Sequence, residues 1–517
     1  MSRRIPSTPG CLAVLLSVTI LSGATAEDAV MPSASSETIC TFDTPEAVSA
    51  QRTAVPGDGA TLGFSAEGRR SSGALTITAP GRPCRLILDL DGHLAPREGV
   101  LCSAWVAVAE AGTGARCTLT AHRTTADGRR TSDHLADIPL AHDRWTLLSG
   151  WVTRSGVDQR TTLVISAPAG TTLLVDDLRI TSSGIPHPLD QRPPLRVAGS
   201  RLVADGEPFL LHGVNLSAYS GDEADDPQHA LGSIVADDYR DIAAAGFNCV
   251  RLNLWHRVFH EANGWAWLRV QHRWATMHGL RLILDLHSPP GGYQSNEYRG
   301  SFWTSPEQQQ QFIDFWVQLA KAYADAPGIA ALDLMNEPLP PDESTWLALA
   351  ARTLSAVRKA GWDRPIIVES SMRVDGWSET SPKLDDPGVI YDVHFYMPWE
   401  FCSQGASTYG QSGRGYDGAV IDAAFLRTHL EQQLLLFARK HQVPVNVGEY
   451  GVSGKTLGCG GDRWLADMLN LLRDNGVHAQ YFCWTIFDDF ALNSGWHRQD
   501  PAPRREVLLR LLDRRAK

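Results

Sequence analysis

The chain lacks most of what would tie it to a cofactor or to a charged partner. It contains no Cys-x-x-Cys, and its histidines are scattered rather than clustered, so no stretch has the ligand spacing of a metal site. Basic residues are in the minority, 47 Lys and Arg against 58 Asp and Glu. A formal net charge of -11 removes the electrostatic footing that nucleic acid needs. Beyond residue 26 no apolar run is long enough to span a bilayer. Between 37 and 183 there is no tyrosine and only three tryptophans, Trp105, Trp145 and Trp151.

What is present is globular material, 43% hydrophobic and 20% charged, in a chain of 517 residues that exceeds one ordinary domain. Residues 1–26 read as a secretory signal peptide, with Arg3 and Arg4, an apolar segment from Cys11 to Leu21, and Ala24-Thr25-Ala26 as a cleavage site. The expectation is a secreted protein, extracellular or periplasmic, with no membrane association after the signal is removed. In an oxidising compartment several of the remaining cysteines are expected to pair. Cys40, Cys84, Cys102 and Cys117 allow three connectivities, among which the sequence does not choose. Cys249 and Cys483 lie inside apolar strand-like runs and read as buried free thiols.

Residues 37–183 carry short alternating runs punctuated by Gly, Pro, Asp and Ser, the pattern of an all-β sandwich. Leu174 to Ile180 loosely resembles the last strand of carbohydrate-binding modules. The scarcity of aromatics leaves sugar binding and a purely structural role both open. Residues 184–195, with Pro186, Pro188, Pro193 and Pro194, read as a stiff linker. From 196 to 517 the period changes. After a small hairpin, eight strand-like runs alternate with amphipathic helices, with one helix missing after Pro365 to Glu369. That pattern fits a (β/α)8 barrel. A doubly wound open sheet would want a glycine-rich phosphate turn after its first strand, and Gly213-Val214-Asn215 is not one.

In such a barrel the chemistry gathers at the C-terminal strand ends. The apolar run Ile329 to Met335 stops abruptly in Asn336-Glu337-Pro338, because proline cannot donate to a ladder. Val443 to Gly448 likewise ends in Glu449. Two carboxylates on one rim are the pair that glycoside hydrolysis requires. The other strand ends supply Arg251, Asp285-Leu286-His287, His394-Phe395-Tyr396 and Trp484.

Together these residues resemble glycoside hydrolase family 5, the cellulase-like barrel glycosidases with two catalytic glutamates, over about 195–517. The resemblance implies Glu337 as acid/base, with a raised pKa, and Glu449 as nucleophile. It implies supporting roles for Arg251, His287, Asn336, His394 and Tyr396, Trp484 as the floor under the sugar, and no cofactor. Trp255, Tyr293, Trp303, Trp399, Phe490 and Trp496 fall in loops after strands and are candidates for lining subsites. Cys402 and Cys459 follow neighbouring strands and form the favoured disulfide. The implied protein is a monomer that cleaves a β-linked polysaccharide or oligosaccharide, a β-glucan first. A β-mannanase, an exo-β-1,3-glucanase and a glycan-remodelling transglycosylase are the alternatives. A non-catalytic glycan-binding protein would be expected to lack one of the glutamates.

Overall fold

Strict two-residue alternation builds the first part of the chain. In Cys84–Asp89, and from Thr161 to Ala167, every second side chain is buried, as a half-covered sheet demands. The computed structural model describes residues 38–43, 61–69, 73–79, 81–90, 98–110, 114–142, 144–217, 231–261, 263–292, 300–411, 419–485, 489–493 and 505–509. The signal-like segment therefore lies outside the described residues. These residues divide into two units, Met1–Ile185 and Pro186–Lys517.

The first unit contains two antiparallel sheets, one of six strands and one of four, the sandwich expected from the pattern. Three strands escaped that pattern: Thr38–Cys40, Thr61–Ser65 and Arg130–Pro139. The last is largely exposed and polar, so it carries little alternation to read. Trp105 and Trp151 are buried in the core, and the Arg69 guanidinium lies over Trp105. Neither ring is free to stack on a sugar; Trp145 is the partly exposed one.

Among the described residues the expected cysteine pairing does not occur; the Cys40 side chain lies outside them. Cys84, Cys102, Cys117, Cys249, Cys402, Cys459 and Cys483 are all free. Cys84, Cys102 and Cys117 are buried as small apolar side chains, and burial pushes the Cys102 and Cys117 thiols up to about 12. Cys249 and Cys483 are buried and free, as their apolar settings implied.

In the second unit eight parallel strands close a barrel: β1 (His212–Ser217), β2 (Cys249–Trp255), β3 (Arg281–Ser288), β4 (Ile329–Asp333), β5 (Ile366–Glu369), β6 (Val389–Phe395), β7 (Val445–Tyr450) and β8 (His478–Tyr481). Helices follow most strands, including Pro306–Ala322, Glu343–Lys359 and Gly461–Asp474. Between β5 and β6 there is none. Residues 370–388 instead cross as a loop pinned by buried Trp377, whose Nε1 donates to Asp392 O at 2.9 Å.

A three-stranded antiparallel sheet, Leu195–Ala198, Arg201–Ala204 and Glu207–Phe209, precedes the barrel. Its Leu195 and Leu202 join Cys249, Ile283, Ala331, Ile367 and Ile390 in one apolar cluster. That end of the barrel is therefore plugged with hydrocarbon, and the opposite end is left for chemistry. The proline-rich stretch is tied to the same unit: Arg281 Nη2 donates to Pro193 O at 2.8 Å, and Arg273 Nη1 to Pro186 O at 2.6 Å.

Candidate active site

The interior of the barrel turns polar toward the C-terminal strand ends. Arg251, wholly buried on β2, is the hub. Its Nε donates to Asp333 Oδ2 at 2.8 Å, Nη1 to Asn215 Oδ1 at 2.9 Å and Glu449 Oε1 at 3.0 Å, and Nη2 to Asn336 Oδ1 at 3.1 Å; Asp285 Oδ1 forms an ion pair with Nη2 at 3.0 Å. Burial works against its charge, but the surrounding carboxylates outweigh that and hold it cationic.

Glu449 closes β7 with both oxygens occupied. Arg251 takes one, and the Tyr396 hydroxyl donates to Oε2 at 2.8 Å. Burial and the facing carboxylates push the Tyr396 hydroxyl far up, so it remains a donor. Glu337 sits just past β4, with φ of 42°, a left-handed conformation that non-glycine residues rarely adopt. Its backbone N–H donates to Glu369 Oε2 at 2.7 Å, and its Oε1 lies 2.9 Å from His394 Nδ1. One carboxylate oxygen of Glu337 and one of Glu449 lie within 4.8 Å of each other, with His394 in the same cluster.

Six carboxyl groups thus crowd around Arg251, His287 and His394. Burial pushes Asp333 and Glu369 well above the usual carboxylate range, and Asp392 to about 6. Burial also opposes charge on His394, yet Glu369, Glu449 and Glu337 raise its pKa well above the ordinary imidazole value. His287 rises for the same reason, with Asp285 Oδ2 at 2.9 Å from its Nδ1. Asn253, on β2, donates to that same Asp285 oxygen at 2.8 Å.

Glu337 departs from expectation. Burial alone would raise its pKa, but the hydrogen bond and positive charge of His394, with His287 and Arg251 behind, hold it below the usual range. The motif Asn-Glu-Pro could not disclose this, because the imidazole that decides the sign arrives from β6.

Arg251, His287, Asn336, Glu337, His394, Tyr396 and Glu449 therefore converge as expected from their strand ends. Trp484 does not join them. It is 1% exposed, edge-on to Phe247, with the Arg505 guanidinium 4.9 Å from its ring centre. Protein fills its surroundings, so it is not a floor for a sugar. Trp303 is buried against Phe302 and Trp346, and Trp255 is buried at the end of β2. Trp399 is the exposed ring, 53% accessible, stacked on Phe490 and edge-on to Tyr396 at 5.7 Å. Tyr293 and Trp496 lie outside the described residues. Cys402 and Cys459 are not bonded. Cys402 faces inward from the short helix Trp399–Gln404 and is fully buried, whereas Cys459 is half-buried in a turn.

Asp333, Glu369, Asp392 and Asn215 were missed. Each is a polar residue in or beside an apolar strand run, and a carboxyl in such a run demands a buried partner. That demand was the available signal.

Residues 202–488 match the family described as Cellulase (glycosyl hydrolase family 5). The chain is 28% identical over 227 residues to Endoglucanase C of Acetivibrio thermocellus, a match spanning 40% of this chain and 63% of that relative's own length. It is 25% identical over 308 residues to a probable glucan 1,3-beta-glucosidase A of Emericella nidulans, covering 52% of this chain and 72% of the other. The native form of a β-glucanase from Saccharophagus degradans superposes with a TM-score of 0.51 at 18% identity, over 64% of this chain and 98% of that one.

Proposed function

The chain belongs to the cellulase family of glycosyl hydrolases, family 5, and on that premise we propose that it is a retaining β-glucan hydrolase. The observation that carries the reading is the Glu337–Glu449 pair. Carboxyl groups about 5 Å apart suit attack by one and proton donation by the other, whereas inversion needs about 6.5–9.5 Å to admit a water. The partners differ in kind. Glu449 is held by two donors, Arg251 and Tyr396, which suits an anionic nucleophile. Glu337 is partly exposed and meets an imidazole that can hold or return a proton. The glucan preference is supported by the relatives, an endoglucanase and a probable glucan 1,3-beta-glucosidase. Trp399, exposed beside Tyr396, suits stacking against a sugar ring.

The test is a panel of purified β-1,4-glucan, β-1,3-glucan and β-mannan, assayed for reducing ends, with product anomers followed by NMR. β-Configured first products from a glucan are expected. First products of inverted configuration would remove the retaining mechanism, and release from mannan alone would move the substrate to β-mannan. Growth of longer products on adding an acceptor sugar would mark a transglycosylase.

A pH profile follows from the geometry. Glu337 donates only when protonated, a form present below its pKa and lost above it. Because His394 holds that pKa down in the free protein, kcat/KM on a glucan should fall as pH rises, with its alkaline limb on the acid side of neutrality. An aryl glycoside with a good leaving group should lack that limb in its first step. A limb above neutrality on the glucan would assign proton donation to another group.

A further inference from the structure

We propose that Glu369 is a positioning residue for Glu337, holding it from behind through both its main chain and its imidazole neighbour. The inference rests on the reading of Glu337 as proton donor.

Glu369 ends β5 and is 1% exposed. The rest of that strand, Ile366, Ile367 and Val368, is apolar, so packing alone would be served by another aliphatic residue. A carboxyl there is costly unless it is hydrogen-bonded. Its Oε2 accepts the Glu337 N–H at 2.7 Å, at the residue whose φ is left-handed. Such a conformation persists where surrounding structure over-determines it, and this hydrogen bond is one of the restraints. The same Oε2 lies 3.5 Å from His394 Nε2, while Nδ1 of that ring lies 2.9 Å from Glu337 Oε1. Contacts therefore run in a closed circuit, from Glu369 to the Glu337 main chain, out to the Glu337 carboxyl, through His394 and back to Glu369.

The circuit is anchored. Trp346 Nε1 donates to Glu369 O at 2.8 Å. Asp392, the other carboxyl near His394 Nε2, is farther, at 3.8 Å. That contact is to Asp392 Oδ2, while Oδ1 accepts from Asn446 Nδ2 and Gly448 N, each at 2.7 Å. The groups that bear on Glu369 are thus His394 and Asp392 from β6, Glu337 from beyond β4, and Arg251 from β2.

Two variants separate the contacts. Glu369→Leu removes both. Glu369→Gln keeps an oxygen for the Glu337 N–H but cannot carry charge opposite His394. Displacing a reacting group by about 1 Å can cost roughly 10²-fold. Glu369→Leu should therefore lower kcat on a β-glucan oligosaccharide by about that factor, with KM nearly unchanged, and Glu369→Gln should recover part of the loss. With an activated aryl glycoside, whose leaving group needs no proton, the first step of both variants should run close to the parent rate. Glu337→Ala is the control. If it shows no such leaving-group dependence, the reading of Glu337 itself falls. If it does, and Glu369→Leu loses rate equally on both substrates or on neither, Glu369 does not position the proton donor. Should Glu369→Leu fail to fold by circular dichroism, Glu369→Gln carries the same comparison, and equal rates on both substrates overturn the proposal.

Discussion

Glu449→Ala should reduce turnover on the order of 10⁵- to 10⁶-fold, the scale of losing a nucleophile that acts as part of a unit. The size of the loss follows from how little else can take over. Arg251 and Tyr396 point their donors at the Glu449 oxygens, so removing the carboxylate leaves a cation and a hydroxyl aimed at empty space. Glu337 cannot substitute, because it is held on the other side of the pair by His394 and Glu369. In the parent protein a mechanism-based fluoro-sugar should label Glu449, and peptide mass spectrometry would locate the adduct. Labelling of another residue, or full activity in Glu449→Ala, would remove the assignment.

Glu337→Ala should show a different loss. General acid–base assistance is typically worth about 10²- to 10⁴-fold, and natural glycans, with a sugar as leaving group, should suffer all of it. An activated aryl glycoside should lose much less in the first step. Its glycosyl-enzyme should then accumulate, since no base activates the incoming water. Azide needs no base, so it should restore turnover and yield the β-glycosyl azide. In Glu449→Ala no intermediate forms, and azide attacking directly would give the α-product. The opposite pairing of products, followed by NMR, would exchange the two roles. Activity untouched in both variants would dismiss the pair altogether.

How much of this was legible in the sequence varied with how local the cause was. A strand end is written in a few consecutive residues, so Asn336-Glu337-Pro338 and Glu449 could be placed on one rim from an apolar run and its breaker. The missing helix after β5 was visible too, because residues 370–388 are dense in turn formers. Causes that arrive from elsewhere in the chain were not legible. The depressed pKa of Glu337 depends on His394, 57 positions away. The family resemblance put Trp484 under the sugar, yet its ring packs with Phe247 and Arg505. Cys402 and Cys459 follow neighbouring strands, but adjacency of loops does not make two thiols face each other. Asp333, Glu369 and Asp392 lie in or beside apolar strand runs, and only the barrel's closure turns them inward as partners.

Arg251 carries one more consequence, which concerns assembly. A guanidinium has five N–H groups, and here they reach five partners: hydrogen bonds to Asp333, Asn215, Glu449 and Asn336, and an ion pair with Asp285. Those partners come from β1, β3, β4, the turn beyond β4, and β7. A lysine, with three donors on a single nitrogen, would leave at least one of the four hydrogen-bond acceptors unserved. One side chain thus gauges whether strands far apart in the chain have come to their final spacing. A partly wound barrel, with β7 still unplaced, would hold most of the polar network and yet lack Glu449 at its rim. On the proposed roles, such a chain would be inert until the ring is shut.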